Sequence, residues 1–239
     1  MTTMQVQQPK QVEPVGFGRR VADALSRFLH RFRFVLGGVL AAGLVALVAW
    51  FAWTEVTRRQ SATATVQAEK AQELYDTWLV ETDAAKKEEI QKDLLGRLDA
   101  LVARPGRLYG SQRALMLRAD LRFELKAWDE AAADYQALAR RYPSSYLAPI
   151  ALFNAAACLE EKNDREGAAK LYTDVVARWK GTAVAPRALF ALGRLAEEAG
   201  TWDEAKSRYE QLDAEWPSSG WTQLAKNRLV ALKVAGKIQ

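Results

Sequence analysis

The sequence predicts an all-α fold, in which one N-terminal transmembrane helix is followed by a solenoid of stacked helical hairpins. Three observations support this prediction. An uncharged apolar stretch lies near the N-terminus, small and aromatic residues recur at a fixed interval after it, and helix-breaking residues are scarce. Only 14 glycines and 7 prolines interrupt the 239 residues, which favours long helices over a strand-rich fold.

The uncharged stretch runs over 20 residues, from Phe34 to Trp53. A helix rises about 1.5 Å per residue, so about 20 residues cross a hydrocarbon core of about 30 Å. A cleaved signal peptide is the alternative, and the small residues at 62–64 fit a cleavage pattern. The apolar stretch of a signal peptide, however, spans about 7–15 residues and is followed closely by its cleavage site. A retained anchor is therefore favoured.

The distribution of charge predicts the orientation of this anchor. The net charge is +5, with 8 basic and 3 acidic side chains in residues 1–59 and equal numbers of each in 60–239. Positive flanks stay cytoplasmic, which predicts a cytoplasmic N-terminus and places residues 60–239 on the other side of the membrane. In a bacterium this is the inner membrane with residues 60–239 in the periplasm. The balanced charge of 60–239 argues against nucleic-acid binding, which needs a basic face. The flanking arginines are Arg19, Arg20, Arg27, Arg31 and Arg33.

A stripe of small residues lies within the apolar stretch, at Gly38, Ala42 and Ala46. Such a stripe lets another membrane helix approach closely. Small residues are also common in membrane helices that have no helical partner, so the sequence leaves both interpretations open.

A 37-residue repeat follows, without insertion or deletion across three units. Each unit is predicted to form two helices, because proline suits a first turn at Pro149 and Pro186 and acidic residues open each second helix. An alanine or glycine lets the two helices pack closely, and a tyrosine fills the remaining space. The recurring sets are Ala114/Ala151/Ala188, Leu115/Leu152/Leu189, Ala119/Ala156/Gly193, Ala131/Ala168/Ala205, Tyr135/Tyr172/Tyr209 and Tyr142/Trp179/Trp216.

These positions resemble the tetratricopeptide repeat, whose usual length is about 34 residues; the extra three fall in loops 143–146 and 217–220. The Pro-Ser-Ser sequences at 143–145 and 217–219 resemble repeats of bacterial envelope proteins. Examples are the Tol-Pal cell-division coordinator and the outer-membrane assembly lipoprotein of the Bam complex. A single anchor followed by such repeats is similar to the ancillary subunit of the Sec translocon. The resemblance implies a protein-binding scaffold.

The predicted organisation has five parts. A cytoplasmic tail covers 1–33, a transmembrane helix 34–53, and a helical stalk with a degenerate first hairpin 54–104. Three repeats cover 105–220, and a capping helix with a tail covers 221–239. Arg118 and Arg122 occupy positions that are apolar in the repeat pattern, which predicts that the first repeat lies near an exposed end.

The resemblance also implies a groove in which the first helices of the repeats contact partners. Phe153 and Phe190 would anchor a partner helix or extended peptide. Packing between repeats is the alternative, which periodicity does not exclude. The groove positions are Arg113/Ile150/Arg187, Met116/Phe153/Phe190, Asp120/Ala157/Arg194 and Glu124/Glu161/Glu198.

The sequence predicts no enzyme, no metal site and no cofactor. Its one histidine, His30, precedes the apolar stretch, so residues 60–239 cannot build a histidine-based triad or zinc site. The one cysteine, Cys158, aligns with leucines of the neighbouring repeats and is predicted to lie in the core. No phosphate-binding glycine motif is present, and no small-molecule substrate is expected.

Two acidic pairs, Glu160-Glu161 and Glu197-Glu198, could suggest two-carboxylate catalysis. They lie one repeat apart at helix ends, and neighbours in sequence do not face each other on a helix. We therefore interpret them as a solvated face or a groove wall.

Two functions fit these features. The first is a periplasm-facing adaptor or holding chaperone near the Sec translocon, which would bind many unfolded envelope proteins. The alternative is a structural coordinator of envelope, outer-membrane assembly or division machinery, which would dock one fixed partner.

Overall fold

A computed structural model describes residues 17–104 and 109–239, and these ranges contain only helices and their connections. The predicted all-α fold is confirmed. The tail before residue 17 and the side chains of Arg19, Arg20, Arg27 and His30 lie outside the described residues. The helices are α1 (Phe17–Val80), α2 (Ala84–Val102), α3 (Tyr109–Glu124), α4 (Trp128–Arg141), α5 (Leu147–Glu161), α6 (Arg165–Arg178), α7 (Val184–Glu198), α8 (Trp202–Glu215) and α9 (Gly220–Val234).

The chain divides into two compact units, Met1–Arg58 and Arg59–Gln239. In the first unit, every described side chain from Phe34 to Trp53 is exposed. Within the described ranges, one helical segment, Arg31–Val80, is long and apolar enough to cross a membrane.

The second unit begins with an apolar cluster formed by α1, α2 and α3. Alanines recur along one side of α1, and this allows close packing against the leucines of α2 and the first part of α3. At Gly110 a Cβ atom would overlap the backbone of Ala64, so only glycine fits where α3 meets α1. The cluster contains Ala64, Ala68, Ala71, Tyr75, Trp78, Leu94, Leu98, Leu101, Ala114, Leu117 and Leu121.

A cluster of charged side chains also joins α2, α3 and α4. The buried carboxylate of Asp134 accepts hydrogen bonds from Arg118 at 2.6 and 2.8 Å and from Arg122 at 2.6 Å. Arg118 also donates to Asp99 on α2 at 2.6 Å. The prediction that these arginines mark an exposed end is wrong, because α2 covers this side of the first repeat and Asp134 balances the buried charge.

Three hairpins follow, formed by α3 with α4, α5 with α6 and α7 with α8. Each turns through one residue with a positive φ angle, and these residues are 37 positions apart. The angles are 58° at Lys126, 62° at Asn163 and 74° at Gly200. A glycine adopts this left-handed conformation without cost, whereas a lysine does so with strain.

The recurring small and aromatic residues form the core between these hairpins. The three tyrosines are at most 2% exposed, and at Gly193 a Cβ atom would overlap the Tyr209 ring. Cys158 is also fully buried. The buried recurring positions are Ala119, Ala131, Tyr135, Ala156, Ala168, Tyr172, Gly193, Ala205 and Tyr209.

Helix α9 packs on α7 and α8 and ends the stack. Its inner side buries Ala225 and Leu232. Lys226, Val230 and Lys233 are exposed. They occupy the positions that in α7 are the buried residues Leu189, Gly193 and Ala196. A further second helix therefore cannot pack on α9 as α8 packs on α7, because it would bury two ammonium groups.

Candidate protein-binding groove

The first helices of the repeats lie beside one another, because α3 contacts α5, α5 contacts α7, and α7 contacts α9. Two adjoining clefts run across these helices and share Phe153, Ala157 and Arg187. Together they form a continuous depression, which we call the first-helix groove.

The first cleft, here the Phe190 cleft, has a volume of about 430 Å³. The second, here the Asp120 cleft, has a volume of about 290 Å³. The Phe190 cleft is lined by Phe153, Ala157, Glu160, Glu161, Tyr172, Arg187, Phe190, Ala191, Arg194 and Trp221. The Asp120 cleft is lined by Tyr75, Asp120, Phe123, Glu124, Tyr135, Phe153, Asn154, Ala157 and Arg187.

Twelve positions were predicted for the groove, and eight of them line it. The other four, Arg113, Met116, Ile150 and Glu198, lie outside the two clefts. Arg113 donates to Gln72 of α1 at 3.3 Å, Met116 packs against the core, and Glu198 pairs with Arg194 at 2.5 Å. The eight that line the groove are Asp120, Glu124, Phe153, Ala157, Glu161, Arg187, Phe190 and Arg194.

Phe153 belongs to the core and also forms the floor of the groove. It is only 7% exposed, and its ring lies 4.9 Å from that of Tyr172. The exposed guanidinium of Arg187 stacks over it, 4.2 Å from the ring centroid. Phe190 is half-buried and lies 5.5 Å from Trp221 of α9. Both interpretations of Phe153 therefore hold, because the residue packs in the core and also lines the groove.

Sequence reasoning did not include Trp221 and Tyr75 in the groove. Trp221 lies on α9, which was predicted only to close the stack, and Tyr75 lies on α1, which does not follow the repeat. Burial raises the pKa of Tyr75 to about 12, with Asp120 and Glu124 adding to the effect. A phenol beside these carboxylates stays protonated and available as a hydrogen-bond donor.

Carboxylates under the groove bind the hydroxyl groups of the buried tyrosines. Tyr172 donates to Glu160 at 2.6 Å, and Tyr209 donates to Glu197 at 2.5 Å. An arginine from the next first helix also binds each carboxylate, Arg194 for Glu160 and Arg228 for Glu197. Glu160 and Glu161 line the groove, as the groove-wall interpretation predicted, and Glu161 and Glu198 are exposed. Glu160 and Glu197 also hold together the two helices of a hairpin and the helix that follows it.

Burial alone would raise the pKa of Glu197, but the hydrogen bonds from Arg228 and Tyr209 outweigh burial and lower it. In the first repeat the corresponding hydroxyl, that of Tyr135, donates instead to Asp120 at 2.5 Å. Burial raises the pKa of Asp120, and the nearby charge of Glu124 adds to the increase.

The groove has the chemistry of a binding surface. Burial raises the pKa of the Cys158 thiol to about 12, so the thiolate needed for nucleophilic attack does not form near neutral pH. Across the part of the chain that the structure describes, histidines, cysteines and carboxylates do not cluster in a metal-binding group. Aromatic rings beside fixed charges are instead typical of sites that recognise protein segments.

A larger cleft, of about 850 Å³, lies among the loops that precede α7 and α9. Several of its polar groups pair with one another. Lys180 pairs with Glu215 at 2.9 Å, and the Trp216 indole donates to the Lys180 carbonyl at 3.2 Å. The first-helix groove is the better candidate site, because Arg187 lies in it without a carboxylate partner among the described residues.

Comparison with known sequences identifies the repeat. The model of the tetratricopeptide repeat matches residues 113–145, 150–182 and 187–219. Residues 113–219 carry three tetratricopeptide repeats. Such repeats act as scaffolds for protein–protein interaction, and tetratricopeptide scaffolds are typically not enzymes.

The fold is also similar to that of a solved protein, BtubC (BKLC) from P. vanneervenii. The sequences are 20% identical, the match covers 75% of this chain and 84% of that one, and the TM-score is 0.52. At this identity the likeness extends to the fold alone. No curated protein matches the sequence significantly.

Proposed function

We propose that this protein is an adaptor of the bacterial inner membrane whose first-helix groove holds segments of envelope proteins close to the translocation machinery. The observation that carries the proposal is the groove itself, which crosses three tetratricopeptide repeats. The Phe190 cleft suits an apolar side chain, because Phe153, Phe190 and Trp221 line it. Neighbouring helix axes are about 10 Å apart, so the groove is about 30 Å long from α3 to α9. An extended segment rises about 3.3 Å per residue, so about ten residues span this length.

Helix α1 supports a membrane location. The exposed side chains from Phe34 to Trp53 would present a large apolar surface to water, at about 25 cal/mol for each Å². A hydrocarbon core removes that surface from water without any protein partner. The arginines before the helix favour a cytoplasmic N-terminus, and this orientation supports a periplasmic location for residues 59–239.

A photo-crosslinking experiment in cells tests the adaptor function. The crosslinking amino acid replaces Phe190 or Ala157 of the full chain, and in the control it replaces Asp174, an exposed residue of α6. We expect several envelope proteins, captured before they have folded, from the two groove positions and none from Asp174. Equal capture from all three positions would contradict the proposal. Capture of one stoichiometric partner would support the structural-coordinator alternative instead.

Protease digestion tests the topology. Spheroplasts expose periplasmic domains, so residues 59–239 of the full chain should be digested in them and protected in inverted membrane vesicles. Digestion in the inverted vesicles only would place the repeats in the cytoplasm and overturn the periplasmic assignment.

A further inference from the structure

The hydroxyl of the buried tyrosine has one set of partners in the second and third repeats and another in the first. In the second and third repeats, the tyrosine hydroxyl donates to one oxygen of a glutamate, and an arginine of the next first helix binds the other oxygen. In the third repeat, Arg228 binds both oxygens. A phenol, a carboxylate and a guanidinium thus form one group in each. The two groups are Tyr172–Glu160–Arg194 and Tyr209–Glu197–Arg228.

The first repeat has the phenol and the carboxylate without the guanidinium. Tyr135 donates to Oδ1 of Asp120. One repeat before Arg194 the chain has Ala157, and two repeats before Arg228 it has Asn154. Neither residue carries a charge, and both line the Asp120 cleft. The first repeat therefore has an open cleft on the side where the later repeats have an arginine.

Other cations of the second unit do not replace that arginine. Within the described ranges, no cationic side chain forms a hydrogen bond or ion pair with Asp120. Arg113 has the smallest of the named influences on the pKa of Asp120, and it donates a hydrogen bond to Gln72 instead. Arg187 lines the cleft, but its guanidinium stacks on Phe153. The carboxylate is thus largely removed from water without a compensating positive charge.

The walls of the Asp120 cleft suit a guanidinium. Tyr75, Phe123, Tyr135 and Phe153 present aromatic rings to it, and a planar guanidinium stacks on such rings while it donates hydrogen bonds at its edge. Glu124 supplies a second carboxylate at the rim and, among the described residues, forms no ion pair of its own.

We propose that the Asp120 cleft receives an arginine side chain from the partner segment. The arginine would complete in the first repeat the group that the chain's own arginines complete in the other two. This proposal rests on the groove function proposed above, and it specifies the chemistry of the segment that the groove selects. The arginine enters at the α3 end, while an apolar side chain of the same segment occupies the Phe190 cleft.

Three peptides test the proposal against the full chain in detergent. They are fluorescein-labelled Ala-Leu-Ala-Leu-Ala-Arg-Ala-Leu-Ala-Leu-amide, in which the leucines share the face of the arginine in an extended chain, and the same peptide with citrulline or lysine in place of arginine. Citrulline has the shape of arginine without its charge. Fluorescence anisotropy should give a dissociation constant at least about tenfold lower for the arginine peptide than for citrulline, because a charge-assisted pair is lost. Lysine should bind less tightly than arginine, because one ammonium cannot form the paired contact.

Two variants, with Asp174→Asn as a control, test whether Asp120 causes the preference for arginine. Asp120→Asn should abolish the preference for arginine over citrulline, whereas Asp174→Asn, on α6, should preserve it. Asn154→Arg supplies an arginine from within the chain, as Arg228 does in the third repeat. It should raise the melting temperature and weaken binding of the arginine peptide about tenfold, and both effects should vanish in the Asp120→Asn background.

Several outcomes would overturn the proposal. These are equal binding of the arginine and citrulline peptides, equal binding of lysine and arginine, a preference that survives Asp120→Asn, or no binding of the arginine peptide at millimolar concentration. If the peptides bind equally while crosslinking from Phe190 still captures envelope proteins, the groove function stands and only the arginine specificity fails. If crosslinking also fails, the groove function itself is wrong.

Discussion

The first and third repeats share their packing residues and differ in their charged ones. Both place an alanine of the second helix and a tyrosine in the core. The first uses Asp120 to bind its tyrosine, whereas the third uses Glu197 together with Arg228. The difference shows that stacking depends on a few small and aromatic positions. The surrounding charges can therefore change from repeat to repeat and give each one its own surface.

The largest loss of stability should come from disrupting the buried small positions that the repeats share. Ala168→Arg puts a long charged side chain at a fully buried position and should lower the free energy of unfolding by about 4 kcal/mol or more. Circular dichroism during thermal unfolding of the full chain measures this effect. Thr173→Arg, at an exposed position of the same helix, should leave the melting curve nearly unchanged. An unchanged melting curve for Ala168→Arg would contradict the packing described here.

A smaller loss in the free energy of unfolding is expected from a substitution where α3 contacts α1. The later repeats have no equivalent of this contact. Gly110→Ala would bring a methyl group into the backbone of Ala64, and relief of this overlap should cost about 2–3 kcal/mol. Gly96→Ala on α2 meets open space and should instead stabilise by about 0.5–1 kcal/mol. Denaturant unfolding measures both values, and losses of equal size would argue against the α1–α3 contact.

Stability measured over a range of pH distinguishes the carboxylate of Glu197 from that of Asp120. The pKa of Glu197 lies below its ordinary 4.5, so its stabilisation is present at higher pH and is lost as pH falls through the lowered pKa. Glu197→Gln should therefore cost about 1–2 kcal/mol at pH 7, with the deficit shrinking only below pH 4.5.

The pKa of Asp120 lies above its ordinary 3.8, so its ionisation opposes folding at neutral pH. Asp120→Asn should stabilise at pH 7, and the gain should shrink as pH falls through the raised pKa, because the wild-type carboxyl then takes up its proton. Chemical unfolding between pH 3 and 7 measures both variants. At pH 7 we expect Glu197→Gln to lower the free energy of unfolding and Asp120→Asn to raise it. Changes in the same direction would refute the contrast between the two repeats.

The smallest effect should arise at the hairpin turns. Lys126 has a φ angle of 58°, at the position that Gly200 occupies in the third repeat. Lys126→Gly should stabilise by about 0.5–1 kcal/mol, because glycine adopts the left-handed conformation without strain. The reciprocal Gly200→Ala should destabilise by a similar amount, and equilibrium unfolding measures the pair. Destabilisation by Lys126→Gly would indicate that the lysine makes a compensating contact.

The hairpins were predictable because packing leaves a periodic signal in the sequence. Residues such as Ala131 and Tyr135 must recur wherever two helices pack closely, so the 37-residue interval is by itself enough to indicate the fold class. The buried position of Cys158 follows from the same register. The α1–α2 hairpin was harder to predict, since Ala64 and Trp78 pack in a pattern of their own.

The charged contacts were not predictable from the register. Arg118 was assigned to an exposed end because a guanidinium at an apolar position suggests solvent, yet Asp134 lies on the next helix and neutralises it. Glu197 was assigned to a surface, because its partners Tyr209 and Arg228 lie 12 and 31 positions away. Pairings of this kind depend on three-dimensional proximity, and a one-dimensional pattern does not report it.

The lysines of α9 have a consequence for assembly. At the positions where α7 presents Leu189, Gly193 and Ala196 to α8, helix α9 has Lys226, Val230 and Lys233. A second molecule therefore cannot dock its hairpins there and continue the superhelix, so head-to-tail polymerisation into filaments is disfavoured at this end. An evolutionary lengthening of the array would more easily duplicate a unit before residue 220, because one appended after α9 would meet Lys226 and Lys233 where α8 meets Leu189 and Ala196 on α7.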